Sequence, residues 1–349
     1  MQKFPDLSII IVSLNSQRTL SNCLQYIKHQ TYPKIKEILL IDGGSTDNTL
    51  KIAKTAKLPI KIIYGGYKNN QEARRAIGII KAKSEICAMI DTDNYIIDKD
   101  WLKDMVEPLL NDQTIVASQT LRYDVPKKTS ALNRYFGLLG AADPVAYYLR
   151  KADRLSWAFN RWNLLGRVLL KKRGYFIIVF DPNNFPTLGA NGIVFRRSKL
   201  LKSNWGKPEN FFHTDVFVDI AKQGLNKFAI VNNKIFHNTA DNITTFLLKR
   251  KKYMELHYQE LNSSRRYSVL NLKKREDIIR LIFYILFSLT LIEPMYESVR
   301  GYLKKKDFAW FLHPAVCLGI SLIYAQASIF YLFKSGINHF IITRRVATK

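Results

Sequence analysis

Apolar positions in the first ninety residues alternate between two spacings. Residues 7–14, Leu-Ser-Ile-Ile-Ile-Val-Ser-Leu, form a nearly continuous run rich in β-branched side chains, the pattern of a strand covered on both faces in a parallel sheet. After Asn15 to Thr19 the spacing becomes helical, with Leu20, Cys23, Leu24 and Ile27 on one face. Thr31-Tyr32-Pro33 breaks that helix before a second buried run over 37–41, which completes a β-α-β unit. The second strand opens into Asp42-Gly43-Gly44-Ser45-Thr46-Asp47, where Asp47 is placed to cap a helix over 49–56. A strand over 60–64, a helix over 71–83 and a strand over 86–90 follow, the last ending at Asp91-Thr92-Asp93. Such short-period alternation predicts a doubly wound α/β domain whose ligands sit outside the carboxyl ends of the strands.

Between residues 130 and 180 the pattern dissolves into aromatic and basic residues among apolar ones, such as Tyr135, Phe136, Trp157 and Trp162 beside Arg134, Arg154 and Arg167. Two readings fit: packed connecting helices, or a segment facing the headgroup layer of a membrane or an acceptor. The α/β character returns over 189–240, with a strand at 193–195, a helix from about 215 to 224 and a short strand at 228–231. From residue 278 the composition shifts again. Residues 278–292 are apolar apart from Arg280, and 308–333 hold no Asp, Glu, Lys or Arg. The second stretch exceeds the roughly 20 apolar residues that cross a bilayer, whereas the first suits an interfacial or re-entrant helix. The expected layout is a catalytic domain over 1–240 with an aromatic and basic insert at about 130–180, a basic helical link over 241–277, and a membrane-associated helical segment over 278–349. Truncation near residue 277 is expected to release a more soluble catalytic domain.

Charge sharpens this picture. The 349 residues carry 54 Lys and Arg against 28 Asp and Glu, a net +26, and 47% are hydrophobic. That apolar content excludes a natively unfolded polycation, so the basic surface answers an anionic partner: nucleic acid, a membrane surface or phosphorylated substrates. The runs at 171–173, 249–252, 273–275 and 304–306 place it in the second half. Cys23, Cys87 and Cys317 are scattered, without a CxxC pair or a His at ligand spacing, which excludes a disulfide framework and a structural zinc site. The apolar stretch at 7–14 is too short for an export signal, and the amino-terminal part is expected in the cytoplasm.

Two carboxylates one residue apart at a strand end, Asp91 and Asp93, can converge on a divalent cation and the phosphates it bridges. A second acidic strand end, Asp42, stands in the same sheet, and together they suggest a nucleotide-diphosphate site. At this point the residues resemble the family 2 glycosyltransferases of the GT-A fold. Residues 8–15, Ser-Ile-Ile-Ile-Val-Ser-Leu-Asn, resemble the family's opening, and 41–49, Ile-Asp-Gly-Gly-Ser-Thr-Asp-Asn-Thr, its second-strand motif. The resemblance implies that Asp42 hydrogen-bonds the donor base, most often uracil, while Val12, Ser13 and Leu14 wrap it with backbone contacts. Residues 73–78, Ala-Arg-Arg-Ala-Ile-Gly, resemble the helix before the D-x-D strand and put Arg75 near the donor diphosphate, although Ala76 stands where Asn is common. Asp93 is then the expected ligand of Mn²⁺ or Mg²⁺, with Asp91 on the ribose or a metal-bound water.

Further on, 189–197 resemble the acceptor-side strand and 212–218, Phe-His-Thr-Asp-Val-Phe-Val, the segment carrying the catalytic base, with Thr214 where Glu is common. Asp215 is the expected base, since an acceptor hydroxyl needs its proton removed as the sugar gains oxocarbenium character. Asp219, one turn onward, is the runner-up. A His near position 237 approaches the metal or pyrophosphate in related enzymes, so His237 is a further candidate ligand. Processive members carry Gln-x-x-Arg-Trp after the base. Here Arg161-Trp162 precedes Asp215 with Ala158 in place of Gln, which implies transfer of one sugar per encounter. A single carboxylate without a second nucleophile implies inversion. The expected partners are a nucleotide-sugar donor, a lipid-linked or glycan acceptor and the anionic cytoplasmic face of a membrane. Nucleic acid is not expected, because RNP, helix-turn-helix and zinc-finger patterns are missing and a long uncharged segment serves no DNA binder. A membrane-anchored scaffold with an inactive transferase fold is the other rival, against which Asp42, Asp91, Asp93 and Asp215 stand together.

Overall fold

The computed structural model describes residues 3–240, 242–256 and 265–347. In chain order the first half holds β1 (Leu7–Ser13), α1 (Leu20–Lys28), β2 (Ile35–Asp42), α2 (Thr49–Thr55), β3 (Ile60–Tyr64), α3 (Gln71–Lys81), β4 (Ile86–Met89), β5 (Asn94–Tyr95), α4 (Trp101–Asn111) and β6 (Ala117–Tyr123). There follow α5 (Ala131–Leu139), α6 (Pro144–Tyr148), β7 (Arg167–Lys171), β8 (Tyr175–Val179), β9 (Ile193–Arg196), α7 (Arg197–Leu200), α8 (His213–Lys222) and β10 (Lys227–His237). The chain continues into α9 (Ile243–Met254), α10 (Arg275–Thr290), α11 (Ile292–Lys304) and α12 (His313–Ala347).

The strands form one mixed sheet in the order β3-β2-β1-β4-β9-β6-β10-β8-β7, with β5 paired to β10 off that path. β1 to β4 are parallel, β9 runs antiparallel between β4 and β6, and β10 lies parallel to β6 and antiparallel to β8. The continuous apolar run of β1 is explained by its two faces. Ile9 and Ile11 enter a core with Leu20 and Leu24 of α1 and Trp101 and Leu102 of α4, whereas Ile10 and Val12 enter another with Ala76 and Ile79 of α3 and Val216 and Phe217 of α8. α3 lies so close to the sheet that a Cβ on Gly78 would stand 2.3 Å from the Ile10 Cγ2. At its start the Asn70 side chain accepts from the Ala73 N–H, satisfying one of the donors that a helix leaves open.

Several expectations are corrected. The helix at 71–83 ends at Lys81, and that at 215–224 begins two residues earlier, at His213. The strand at 228–231 is only the first part of the eleven-residue β10, which continues through a register shift between Val231 and Lys234 to His237. The 130–180 region contains two helices and then the β7–β8 hairpin. Within the 241–277 link, residues 241 and 257–264 lie outside the described residues.

A third core joins that insert to the carboxyl-terminal helices: Tyr135, Phe136 and Leu138 of α5 and Phe246 of α9 pack with Tyr284, Trp310, Val316, Cys317 and Ile320. Polar bonds reinforce it, from the Tyr135 hydroxyl to His313 Nδ1 at 2.7 Å, from Tyr147 to Glu297 at 2.7 Å, and from the buried Lys151 to Asp277 at 2.5 Å. α10 and α11 meet at 88°, with Leu291 between them at φ 60°, and α10 leaves Ile282, Phe283, Leu286 and Leu289 exposed. Among the described residues, Phe308–Tyr331 is the one helical stretch long and apolar enough by itself to cross a membrane; the bent α10–α11 pair qualifies only taken together.

Candidate active site

The carboxyl ends of β4 and β10 meet because β5 bridges them. His237 pairs with Asn94 in antiparallel register, and the Asn238 N–H donates to the Asp93 carbonyl at 2.8 Å. This pairing sets the Asp93 Oδ2 3.5 Å from His237 Nε2. Burial alone would lower the imidazole pKa, but Asp93 beside it outweighs that and the net shift is upward. Burial likewise pushes the Asp93 carboxyl up, and His237 more than reverses it, leaving it below the usual range.

Asp91 lies one layer deeper. Its Oδ2 accepts from Arg75 Nη2 at 2.5 Å, while its Oδ1 is buried without a hydrogen-bond partner among the described residues. The same guanidinium bonds Glu72 one turn earlier on α3, so the Arg75 charge is held by two carboxylates that raise its pKa against the opposing effect of burial. Glu72 also accepts from the backbone N–H of His213, at 3.0 Å, and faces its Nδ1 at 3.0 Å. Replacing Arg75 by Met would leave Asp91 buried without its cation and take one of its partners from Glu72. A loss of about 3–5 kcal/mol is expected, measurable as a drop in the urea midpoint, and an unchanged midpoint would mean that the pair is not held in this way.

At the neighbouring strand end Val12 and Leu14 line the cavity described below, but Asp42 is committed elsewhere. Its Oδ2 accepts from the backbone N–H groups of Gly44 and Ser45 at 2.8 and 2.7 Å, and its Oδ1 from the hydroxyls of Ser13 and Ser45 at 2.8 and 2.5 Å. Burial raises its pKa, yet these donors win and the net shift is downward. Asp42 thus holds the turn that it shapes through four donors, and its contact with a donor base stays a proposal. Ser13 is occupied too, since its carbonyl accepts from the Gly43 N–H at 2.9 Å.

On the acceptor side the expected base is enclosed as well. Asp215 is fully buried in the first turn of α8. Its oxygens accept from Arg265 Nε at 3.1 and 3.2 Å, from Arg265 Nη2 at 2.9 Å and from the Arg266 N–H at 2.8 Å. A carboxylate so enclosed presents no free oxygen to an acceptor hydroxyl; it anchors the 265–267 segment against α8. The runner-up Asp219 is tied into the same segment, accepting from Arg266 Nε at 2.8 Å and from the Ser203 hydroxyl at 2.6 Å.

One cavity of about 1570 Å³ connects these elements. Its polar end is lined by Arg74, Arg75, Asp91, Asp93, His237, Glu72 and His213. It then passes Lys249, Arg250 and Lys252 of α9, and ends against Leu281, Ile285 and Leu289 of α10 and Leu322 and Ala325 of α12. Asp153 also lines it, and the Tyr123 hydroxyl donates to that carboxylate at 3.2 Å. Burial pushes the Asp153 pKa up. Sequence reasoning missed Glu72, Asp153 and the role of His213, because the Glu72–His213 contact spans 141 residues and no local spacing announces it. Among the described residues no group of three or more His, Cys, Asp and Glu side chains gathers as a ready metal centre. Asp93 and His237 offer two donors, and the unpartnered Asp91 oxygen a third buried one nearby.

Comparison with known proteins adds the following. The family model described as Glycosyl transferase family 2 matches residues 8–182. The glycosyltransferase AglE of Haloferax volcanii is 30% identical over 135 residues, 38% of this chain and 44% of that protein. A Methanococcus voltae protein named dolichyl N-acetyl-α-D-glucosaminyl phosphate 3-β-D-2,3-diacetamido-2,3-dideoxy-β-D-glucuronosyltransferase is 32% identical over 106 residues, 29% of this chain and 33% of its own. The chain thus spans less than half the length of these relatives. Among solved structures, the mannosyltransferase PcManGT from Pyrobaculum calidifontis, in complex with GDP-Man and Mn²⁺, superimposes with a TM-score of 0.51 over 95% of this chain and 88% of that one, at 15% identity. That likeness concerns the fold.

Proposed function

The chain belongs to glycosyl transferase family 2, is a glycosyltransferase, and on that premise we propose that it moves one sugar from a nucleotide-diphosphate sugar, preferably a UDP-sugar, to a sugar hydroxyl of a lipid-linked or glycan acceptor at the cytoplasmic membrane face. The observation that carries this reading is the continuous cavity: its carboxylate and arginine end suits a diphosphate with a cation, and its other end is walled by apolar side chains of α10 and α12. An acceptor matching both ends is amphiphilic. The α9 cations between them suit its phosphate groups, and the exposed apolar face of α10 suits the interfacial layer of a bilayer.

Asp93 and His237 would hold Mn²⁺ or Mg²⁺, with Asp91 close by and the remaining positions left to the diphosphate and water. Such an ion neutralises the charge that develops on the leaving diphosphate. Arg75, fixed by Glu72 and Asp91, keeps Asp91 oriented, and Val12 and Leu14 bound the base end of the donor pocket. With one proton acceptor needed and no second nucleophile in place, displacement at the anomeric carbon proceeds in a single step with inversion. The relative named for a dolichyl phosphate substrate supports a lipid-linked acceptor.

The test uses full-length protein in detergent, UDP-glucose, UDP-N-acetylglucosamine and GDP-mannose with Mn²⁺, and polyprenyl-diphosphate N-acetylglucosamine in vesicles. Formation of a lipid product with inverted anomeric configuration, read by NMR, is the expected outcome. Sugar transfer only to soluble glycans, with vesicles making no difference, would refute the lipid-linked reading.

A further inference from the structure

We propose that His213, with its Nδ1 proton held by Glu72, is the group that takes the proton from the acceptor hydroxyl. The inference rests on the transferase reading above and concerns its chemical step.

Two carboxylates that could have served, Asp215 and Asp219, are occupied by Arg265 and Arg266. His213 lies on the same first turn of α8 and lines the cavity shared with Asp91 and Asp93. Both Glu72 oxygens stand 3.0 Å from its Nδ1. An ionised carboxylate only accepts, so Nδ1 carries the proton and the lone pair sits on Nε2. Nε2 makes no hydrogen bond among the described residues and is not among the buried atoms left without a partner, which leaves it open to the cavity.

The ring is fixed on three sides. The Phe212 ring stacks on it at 4.7 Å and 23°, and the Glu72 carboxylate grips both its Nδ1 and its backbone N–H. Gly189, at φ 115°, passes so near that a Cβ there would lie 3.2 Å from the imidazole Cδ2 and 2.5 Å from the Phe217 ring. Among the described residues its recorded charged partner is Glu72; Arg75 stands beyond on α3, bonded to Glu72, Asp215 lies two positions on in its own helix, and the Arg265 guanidinium lies 3.6 Å over the Phe212 ring. Of these, Glu72 touches the imidazole directly.

In the step itself the acceptor O–H proton passes to Nε2 while that oxygen bonds the anomeric carbon. The bond from this carbon to the diphosphate oxygen breaks, and its electron pair leaves with the nucleoside diphosphate. The imidazolium then returns its proton to solvent. Glu72 also holds Arg75, which holds Asp91, so one turn of α3 sets the distance between the proton acceptor and the donor's phosphates.

The test measures sugar release to water and transfer by the full-length protein, using UDP-glucose, UDP-N-acetylglucosamine and GDP-mannose with Mn²⁺. His213→Gln is expected to lower turnover by about 10²–10⁴-fold while nucleotide-diphosphate affinity stays within about twofold. His213→Ala should regain rate with added imidazole. Turnover unchanged in His213→Gln, with the wild type active, would overturn the inference and spare the transferase reading. A wild type that neither binds nor turns over any of these donors would strike both.

Discussion

Replacing Asp93 by Asn is expected to cut sugar transfer by about 10²–10³-fold and to abolish the effect of Mn²⁺ on nucleotide-diphosphate binding. The substitution keeps the shape of the side chain and the backbone bond from Asn238, so it removes charge rather than structure. Without that charge the site presents Asp91, already neutralised by Arg75 at 2.5 Å, and His237, which the loss of Asp93 leaves with a lower pKa. A cation is then held by one committed carboxylate and one imidazole. Isothermal titration of UDP and GDP with Mn²⁺ and with EDTA, on wild type and Asp93→Asn, reads the effect. Equal affinities in all four conditions would remove the metal from the mechanism.

The second large effect concerns truncation after residue 277. Sequence composition suggests that the cut releases a soluble catalytic domain; the packing of the terminal helices leads us to expect the opposite. Tyr135, Phe136, Leu138 and Phe246 share their core with Tyr284, Trp310, Val316 and Ile320. Each large apolar side chain returned to water costs about 1.5–3 kcal/mol. Three tyrosine hydroxyls lose their bonds as well: Tyr135 and Tyr148 to His313 at 2.7 and 3.0 Å, and Tyr147 to Glu297. The sum rivals the 5–15 kcal/mol or so that holds a whole domain folded. The chain ending at residue 277 is expected to aggregate, or to show no cooperative thermal transition by circular dichroism. A monomeric fragment melting at the temperature of the full chain would contradict the shared core.

The parallel half of the sheet was legible because β1, β2 and β4 are apolar on both faces and leave a run without gaps. β6 was not, although it is as central. It reads Ala-Ser-Gln-Thr-Leu-Arg-Tyr, and its buried polar side chains find partners across the fold: Ser118 donates to the Met105 carbonyl at 2.5 Å, the Gln119 amide N–H to the Asp153 carbonyl at 2.6 Å, and Thr120 accepts from Arg154 at 2.9 Å, with the Gln119 Oε1 left without one among the described residues. Buried polar groups satisfied across the fold look, in sequence, like a loop. α4 escaped for another reason, since Pro108 sits inside it and usually marks an end. In the site, strand ends announced Asp91 and Asp93, and their partners Arg75 and His237 came from the family resemblance. What stayed hidden is what surrounds a carboxylate: four donors round Asp42 and an arginine on Asp215 decide whether an acidic residue is chemistry or scaffold, and none of these contacts follows from spacing.

α12 turns two sides to the protein. Val316, Cys317 and Ile320 are sealed in the third core, while Leu322 and Ala325, a turn further on, face the cavity. For anyone redesigning the enzyme, this divides the helix into a part that cannot be exchanged and a part that can. Grafting the terminal helices of a relative would break the seam with α5 and α9 and forfeit the folded state. Point substitutions at 285, 289, 322 and 325 alter the apolar wall and leave the third core alone, so on the proposed reading the choice of acceptor can be retuned by volume at four positions while the donor end, built on strand ends, keeps its own preference.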